Sequence, residues 1–249
     1  WKYGERAFRY CQHDVGHAIA ALSYAAACLG WTVELCSELS DADIAACPGL
    51  DHTDDFIEHE REHADCFFRL KTKPKDNASL DFSALSQTLQ SAIWMGKAKR
   101  LSPNHFYRWP IIDEIATQTE KPGTSVERWQ PPNLPLPPPS HNLPASRLFR
   151  QRRSAQQFNG KAEDLLLADF HRMMLALLPN AKPPFTAWNW SPQVHMVLFV
   201  HRVAGLEPSL YILVRDAKDL PELKQAFSTD FVWAKAVVPY DLYLLSAGN

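Results

Sequence analysis

The run of prolines between Pro122 and Pro144 restricts the possible folds of this chain more than any other feature. Eight prolines fall in that stretch. Each one fixes its own φ and removes a backbone donor, so neither a helix interior nor a central strand can pass through it. The segment predicts an extended linker with no core of its own. Regular structure must then lie on its two sides. With 249 residues, the chain is long enough for one large domain or two small ones.

On the N-terminal side, His13–Leu29 is small and apolar nearly all round, with Gly30 as its stop. That pattern predicts a helix buried on most sides. Trp31–Cys36 reads as a short strand. Ser40–Cys47 reads as a single capped helix with Ser40 at the N-cap, ended by Pro48-Gly49. Asp65–Lys71 reads as a second strand, and Pro74–Ala78 as a polar break. Ser102–Thr119 is predicted helical, with Pro110 near an early turn or a kink.

Beyond the linker, Glu163–Leu178 carries Leu166, Phe170, Met173, Met174 and Leu177 at helical spacing, a stripe read as core. Gln193–Val203 is a continuous apolar strand. Ala204–Pro208 turns the chain, and Ser209–Arg215 returns as its hairpin partner. A short helix over Asp219–Phe227 and a strand over Tyr240–Leu245 follow. Helices and strands mix without a βαβ rhythm, so the expected class is α+β and not a doubly wound sheet.

Hydrophobic residues make up 46% of the chain and charged residues 22%, with a net charge of -2. This balance gives no reason to expect nucleic acid as a partner, and any anion site must be local. No apolar run approaches the ~20 residues that span a bilayer, and no basic-then-apolar secretory leader is read. The five cysteines, Cys11, Cys28, Cys36, Cys47 and Cys66, are odd in number, widely spaced and without a Cys-x-x-Cys. They are read as buried thiols of a cytoplasmic protein. Trp at position one and a strand-like segment at the far end read as an internal piece of something longer.

Two motifs carry chemistry. Ser146-Arg-Leu-Phe-Arg-Gln-Arg-Arg-Ser-Ala-Gln-Gln-Phe-Asn-Gly160 places adjacent guanidiniums, Arg152 and Arg153, beside the hydroxyl of Ser154. Planar guanidinium forks suit a phosphate, and a hydroxyl adds one more donor. The plainer reading is a solvated basic helix face. His59-Glu60-Arg61-Glu62-His63 matches the zinc-hydrolase pattern, two histidines four apart with a glutamate to activate water. Its flanks are heavily charged, however, and no glycine and third histidine follow. Glu114 is an arbitrary third ligand, and His52 and His105 add no pattern. A solvated acidic segment is the preferred reading, with no metal.

Trp1-Lys-Tyr-Gly-Glu-Arg-Ala-Phe-Arg-Tyr10, then Asp14-Val-Gly-His17 and the alanine-rich helix, together resemble the C-terminal half of a nitroreductase-like domain. The nearest branch is the SagB/ThcOx-type dehydrogenases, which include the azoline oxidases. Residues 146–215, with Arg-Arg-Ser and the Arg202-Val-Ala-Gly-Leu-Glu-Pro-Ser-Leu-Tyr211 hairpin, resemble the N-terminal half of such a domain. A tandem member explains the inverted order. Residues 1–73 would end one domain, 74–145 would be a helical insert and linker, and 146–249 would open a second domain.

The resemblance implies a nitroreductase-like α+β fold, a mixed or antiparallel sheet flanked by helices, paired as a homodimer or an intramolecular pseudo-dimer. It implies FMN, with Arg152, Arg153 and Ser154 on the ribityl phosphate. Gln156 stands where the family usually has a Lys or Arg near the flavin pyrimidine, so that charge is missing. Lys2 and Tyr3 resemble the Lys-Tyr acid/base pair of the azoline oxidases. Alternatively, Lys2 is a solvated cation and Tyr3 a packing residue, and Arg6 and Arg9 are helix-face ion-pair donors. The implied activity is hydride transfer to or from a small organic or peptide-derived substrate, completed by NAD(P)H or oxygen. A catalytically silent dimerisation or docking module of the same fold is the alternative.

Overall fold

The computed structural model describes residues 2–56, 61–73, 81–96, 98–99, 107–125, 127–136, 138, 142–160 and 163–247. The fold is α+β, with seven α-helices and two small antiparallel sheets among these residues. The chain divides into two compact units, Trp1–Trp129 with Lys182–Asn189, and Gln130–Ala181 with Trp190–Asn249. The division falls inside the proline run. The expected separate segment 74–145 is thus shared between the units, because its described helices pack with what precedes them. Among the described residues no helix is long and apolar enough to cross a membrane.

In the first unit, helix α1 spans Ala7–Cys28. It ends where Gly30 takes a φ of 72°. There the Trp31 amide donates to the Ala26 carbonyl and the Gly30 amide to Ala27, at 2.9 and 3.0 Å. This closes the last turn and satisfies carbonyls that would otherwise be orphaned. Ile19, Ser23 and Ala26 are its only buried residues. Ile19 and Ala26 pack with Val33 and Ala187, with Val15, Leu22, Trp31 and Phe68 around them. The expectation of burial on most sides is therefore corrected, since Ala18, Ala21, Ala25 and Ala27 are exposed. Alanine has the highest helix propensity and needs little tertiary burial to stay helical.

Strands β1 (Thr32–Leu35) and β2 (Phe68–Lys71) pair antiparallel, with Glu34 opposite Arg69. Val33 and Leu35 are buried. On the other face, the Glu34 carboxylate meets Lys71 at 2.8 Å, Arg128 at 3.1 Å and Arg69 at 3.9 Å. An isolated two-stranded ribbon is marginal in water. Here residues 182–189 return to it. Ala187 is fully buried against α1 and β1. The Asn189 amide donates to the Leu35 carbonyl and to Ser37 Oγ, at 2.8 and 2.7 Å.

Helix α2 (Asp41–Ala46) starts as its sequence predicts, with Ser40 as N-cap. The Asp43 amide donates to Ser40 Oγ at 3.0 Å, and the Ser40 amide donates to the Asp43 carboxylate at 2.9 Å. The head of the proline run lies along this cap, with the Lys121 amide donating to the Asp41 carboxylate at 2.9 Å. Helix α3 (Phe82–Gln90) was not expected from the sequence. Helix α4 (Pro110–Gln118) begins at its proline, where the missing N–H has no intrahelical partner to lose.

The second unit holds helix α5 (Ala145–Gln151), helix α6 (Leu167–Leu177), strands β3 (Met196–Val200) and β4 (Ser209–Leu213), helix α7 (Leu220–Ala226), and strands β5 (Ala234–Lys235) and β6 (Leu242–Ala247). The sheet order is β3-β4-β6-β5, antiparallel throughout. β3 and β4 form the expected hairpin, with Gly205 at φ 81° in the turn. Alternate side chains of β4 face opposite sides. Tyr211 and Leu213 join Phe170 and Met174 of α6. Ile212 joins Leu245 under Leu220 and Leu223 of α7. Ile212, Leu213, Leu242 and Leu245 are essentially sealed from solvent, each worth ~1.5–3 kcal/mol of burial. The predicted stripe of α6 is narrower than expected, because Leu166 and Met173 are exposed.

Replacing Ser40 with alanine should cost about 1 kcal/mol in urea unfolding at neutral pH. Hydrogen bonds from the Ser40 hydroxyl and then its backbone hold the Asp43 carboxyl below the usual carboxylate range. That stability is present above the unfolded value of ~3.9 and is lost as pH falls below it. The Ser40→Ala variant should therefore show a flatter acid limb than the parent.

Candidate functional site

Gly4 takes a φ of 65°, and the chain passes through a single 3-10 turn, Gly4–Arg6, into α1. This bend stacks the expected acid/base pair on the helix start. Lys2 Nζ lies 5.3 Å from the centre of the Tyr3 ring. The Tyr3 ring lies 5.4 Å from Tyr10. Arg6 Nε donates to the Tyr3 carbonyl at 3.3 Å. Beside them opens a cleft of about 450 Å³, lined by Tyr3, Phe8, Trp109 and Ile115, with Glu5, Arg6 and Arg9 as its charged groups. Trp109 packs over Gly4, 3.7 Å from where a Cβ would stand. Lys2 and Tyr3 are exposed.

Arg152, Arg153, Ser154 and Gln156 belong to the second unit, just past α5, and all four are exposed. Arg153 Nη1 donates to the carbonyls of Arg150 and Arg152, at 3.0 and 2.7 Å. Among the described residues neither guanidinium meets a carboxylate. Two further arginines of the second unit are engaged as well. Arg172 pairs with Asp169 at 2.6 Å, and the Arg215 guanidinium donates to the carbonyls of Leu177 and Val194, at 2.8 and 3.1 Å. The four predicted residues do not line the second unit's apolar groove of about 290 Å³, whose wall includes Leu167, Leu206, Tyr211 and Val237.

His59 and Glu60 of the zinc-like pattern lie outside the described residues. Glu114 is exposed on α4. Among the described residues no group of three or more His, Cys, Asp or Glu is placed to hold a metal. All five cysteines are free, but Cys11 and Cys28 are exposed, so the expectation of buried thiols holds for only part of the set. Burial, followed by Glu38 and Glu34, pushes the Cys36 thiol up to about 11.

Two polar arrangements were not legible in the sequence. His195 Nδ1 accepts the Arg215 amide at 3.0 Å, and its Nε2 lies 3.3 Å from the Asp219 carboxylate. With both ring nitrogens engaged, this histidine ties the residue before β3 to the residue before α7. His171 Nδ1 lies 2.7 Å from the Tyr240 hydroxyl. Spacings of 24 and 69 residues carry no periodic signal for either pair. Comparison with known proteins adds nothing further: no protein-family model, curated protein or solved structure matches the chain.

Burial pushes the Tyr240 phenol up to about 12, so it stays protonated while it shares a hydrogen bond with His171 Nδ1. An unfolded tyrosine titrates near ~10. The folded state therefore favours the protonated phenol. This stability is complete below pH ~10 and is lost as pH climbs through about 12. Tyr240→Phe should cost about 1 kcal/mol at pH 7 and should flatten the alkaline limb of a urea-unfolding series.

Proposed function

We propose that the chain is part of an FMN-dependent oxidoreductase of the nitroreductase-like, SagB/ThcOx type. One observation carries this reading: Arg152 and Arg153 are adjacent, exposed and without a carboxylate partner among the described residues. Ion pairs already use Arg128 and Arg172, whereas this pair has no carboxylate to give up for a phosphate, and only Arg153 Nη1 is spent on backbone carbonyls. Ser154 supplies a hydroxyl beside it, so the donor set fits the ribityl phosphate of FMN. Gln156 offers the flavin ring an amide donor and no positive charge. When bound, the flavin would exchange a hydride with a small organic or peptide-derived substrate, and NAD(P)H or oxygen would complete the cycle. Lys2 and Tyr3, stacked at the start of α1, are the acid/base candidates. A homodimer or pseudo-dimer in the cytoplasm is the matching setting.

The full exposure of Arg152 to Gln156, outside both clefts described above, favours a second reading. In it the second unit is a silent pairing or docking module that binds no flavin.

Titration of the full chain with FMN, followed by visible absorbance, separates the two. The enzyme reading expects a yellow complex. It also expects more than about 100-fold weaker binding in Arg152→Ala/Arg153→Ala, since two charge-assisted contacts are lost. Equal FMN affinity in parent and double variant removes the site. A parent that binds no FMN favours the silent module. Lys2→Ala should leave FMN bound and slow turnover by about 10²-fold. Equal loss of binding and turnover would make Lys2 structural.

A further inference from the structure

We infer that the cleft at the start of α1 binds an aromatic ring carrying a single carboxylate. Three aromatic side chains, Tyr3, Phe8 and Trp109, wall it together with Ile115. Such a lining favours a flat ring, which gains both buried area and edge or offset stacking. The volume of about 450 Å³ lies within the ~300–1,000 Å³ typical of small-molecule sites. Trp109 is held over Gly4, whose left-handed backbone and missing side chain admit the indole at 3.7 Å. That wall is therefore built by packing and is not a loose surface ring.

The charges name the rest of the ligand. Arg6 at the N-cap of α1 and Arg9 in its first turn lie three apart and reach the same cleft. Arg6 is partly committed through its Nε to the Tyr3 carbonyl. Arg9 meets no carboxylate among the described residues, not even Glu5 four positions earlier. A guanidinium fork matches a carboxylate in two parallel hydrogen bonds. Glu5 also lines the cleft and leaves Glu5, Arg6 and Arg9 with one net positive charge. That balance selects a monoanion over a dianionic phosphate ester. The inference stands on this cleft alone and does not depend on flavin.

Calorimetric titration of the full chain tests it without cofactor. The probes are 2-naphthoate, its neutral amide, and a tetrapeptide ending in phenylalanine with a free or an amidated C-terminus. The naphthoate should bind about tenfold more tightly than the amide, the difference expected of a charge-assisted hydrogen bond. Arg9→Gln should abolish that preference while leaving the thermal unfolding midpoint unchanged, since Arg9 is exposed. If only the free-ended peptide binds, the same chemistry is presented by a chain terminus, and the inference holds for that source. Equal binding of acid and amide overturns it. So does an unchanged preference in Arg9→Gln, or no binding of naphthoate and peptide at millimolar concentration.

Discussion

The side-chain amide of Asn189 holds the first unit together. It donates to the Leu35 carbonyl and to Ser37 Oγ across 154 and 152 residues of sequence. Its own backbone carbonyl accepts the Trp129 amide at 2.9 Å. Without this clasp, β1 and β2 are a bare two-stranded ribbon with one helix on top. With it, Ala187 closes the gap between α1 and β1, where it has no accessible surface. Glu34 performs the corresponding task on the polar face, where one half-buried carboxylate balances three cations. Removing it would leave like charges facing one another at partial burial, which costs more than losing any one surface pair.

What the sequence disclosed follows the range of the forces involved. The Ser40 cap, the Gly30 stop and the β3–β4 hairpin were legible because neighbouring residues decide them. A hydroxyl three residues from a carboxylate, a glycine after an alanine-rich helix, and an apolar run, turn and return are local chemistry. The burial of α1 was misread because small and apolar is not the same as inward-facing. Alanine supports a helix by propensity and contributes little area, so one stripe anchors all twenty-two residues. Met173 misled in the same way, lying on the edge of the α6 stripe with about half its surface exposed. The return of residues 182–189 was illegible, since Lys-Pro-Pro-Phe-Thr-Ala-Trp-Asn has no periodicity and declares no partner.

The chemistry-bearing residues divide along the same line. Lys2, Tyr3, Arg152, Arg153 and Ser154 were visible as residue types at suggestive spacing. The fold adds to Tyr3 what spacing could not, an indole from Trp109 and two guanidiniums around a common hollow, and it sets Lys2 against the Tyr3 ring. To Arg152 and Arg153 it adds solvent access and freedom from carboxylates among the described residues. The overall charge of -2 hid this local excess, since no acidic residue occurs between Ser146 and Gly160. The His195–Asp219 and His171–Tyr240 pairs are the reverse case. Their members are unremarkable in sequence and become specific only when strands and helices bring them within hydrogen-bond reach.

The discontinuous make-up of the first unit has a consequence for biogenesis. Its last contributing stretch, Lys182–Asn189, is made only after Gln130–Ala181 of the other unit. At ~5–20 residues per second, the ribosome needs roughly 3–12 s to travel from 129 to 189. During that interval the nascent β1–β2 ribbon lacks its clasp, and Val33 lacks the cover of Ala187. Vectorial, strictly N-to-C completion is ruled out for the first unit, whose closing stretch leaves the ribosome after the first part of the second.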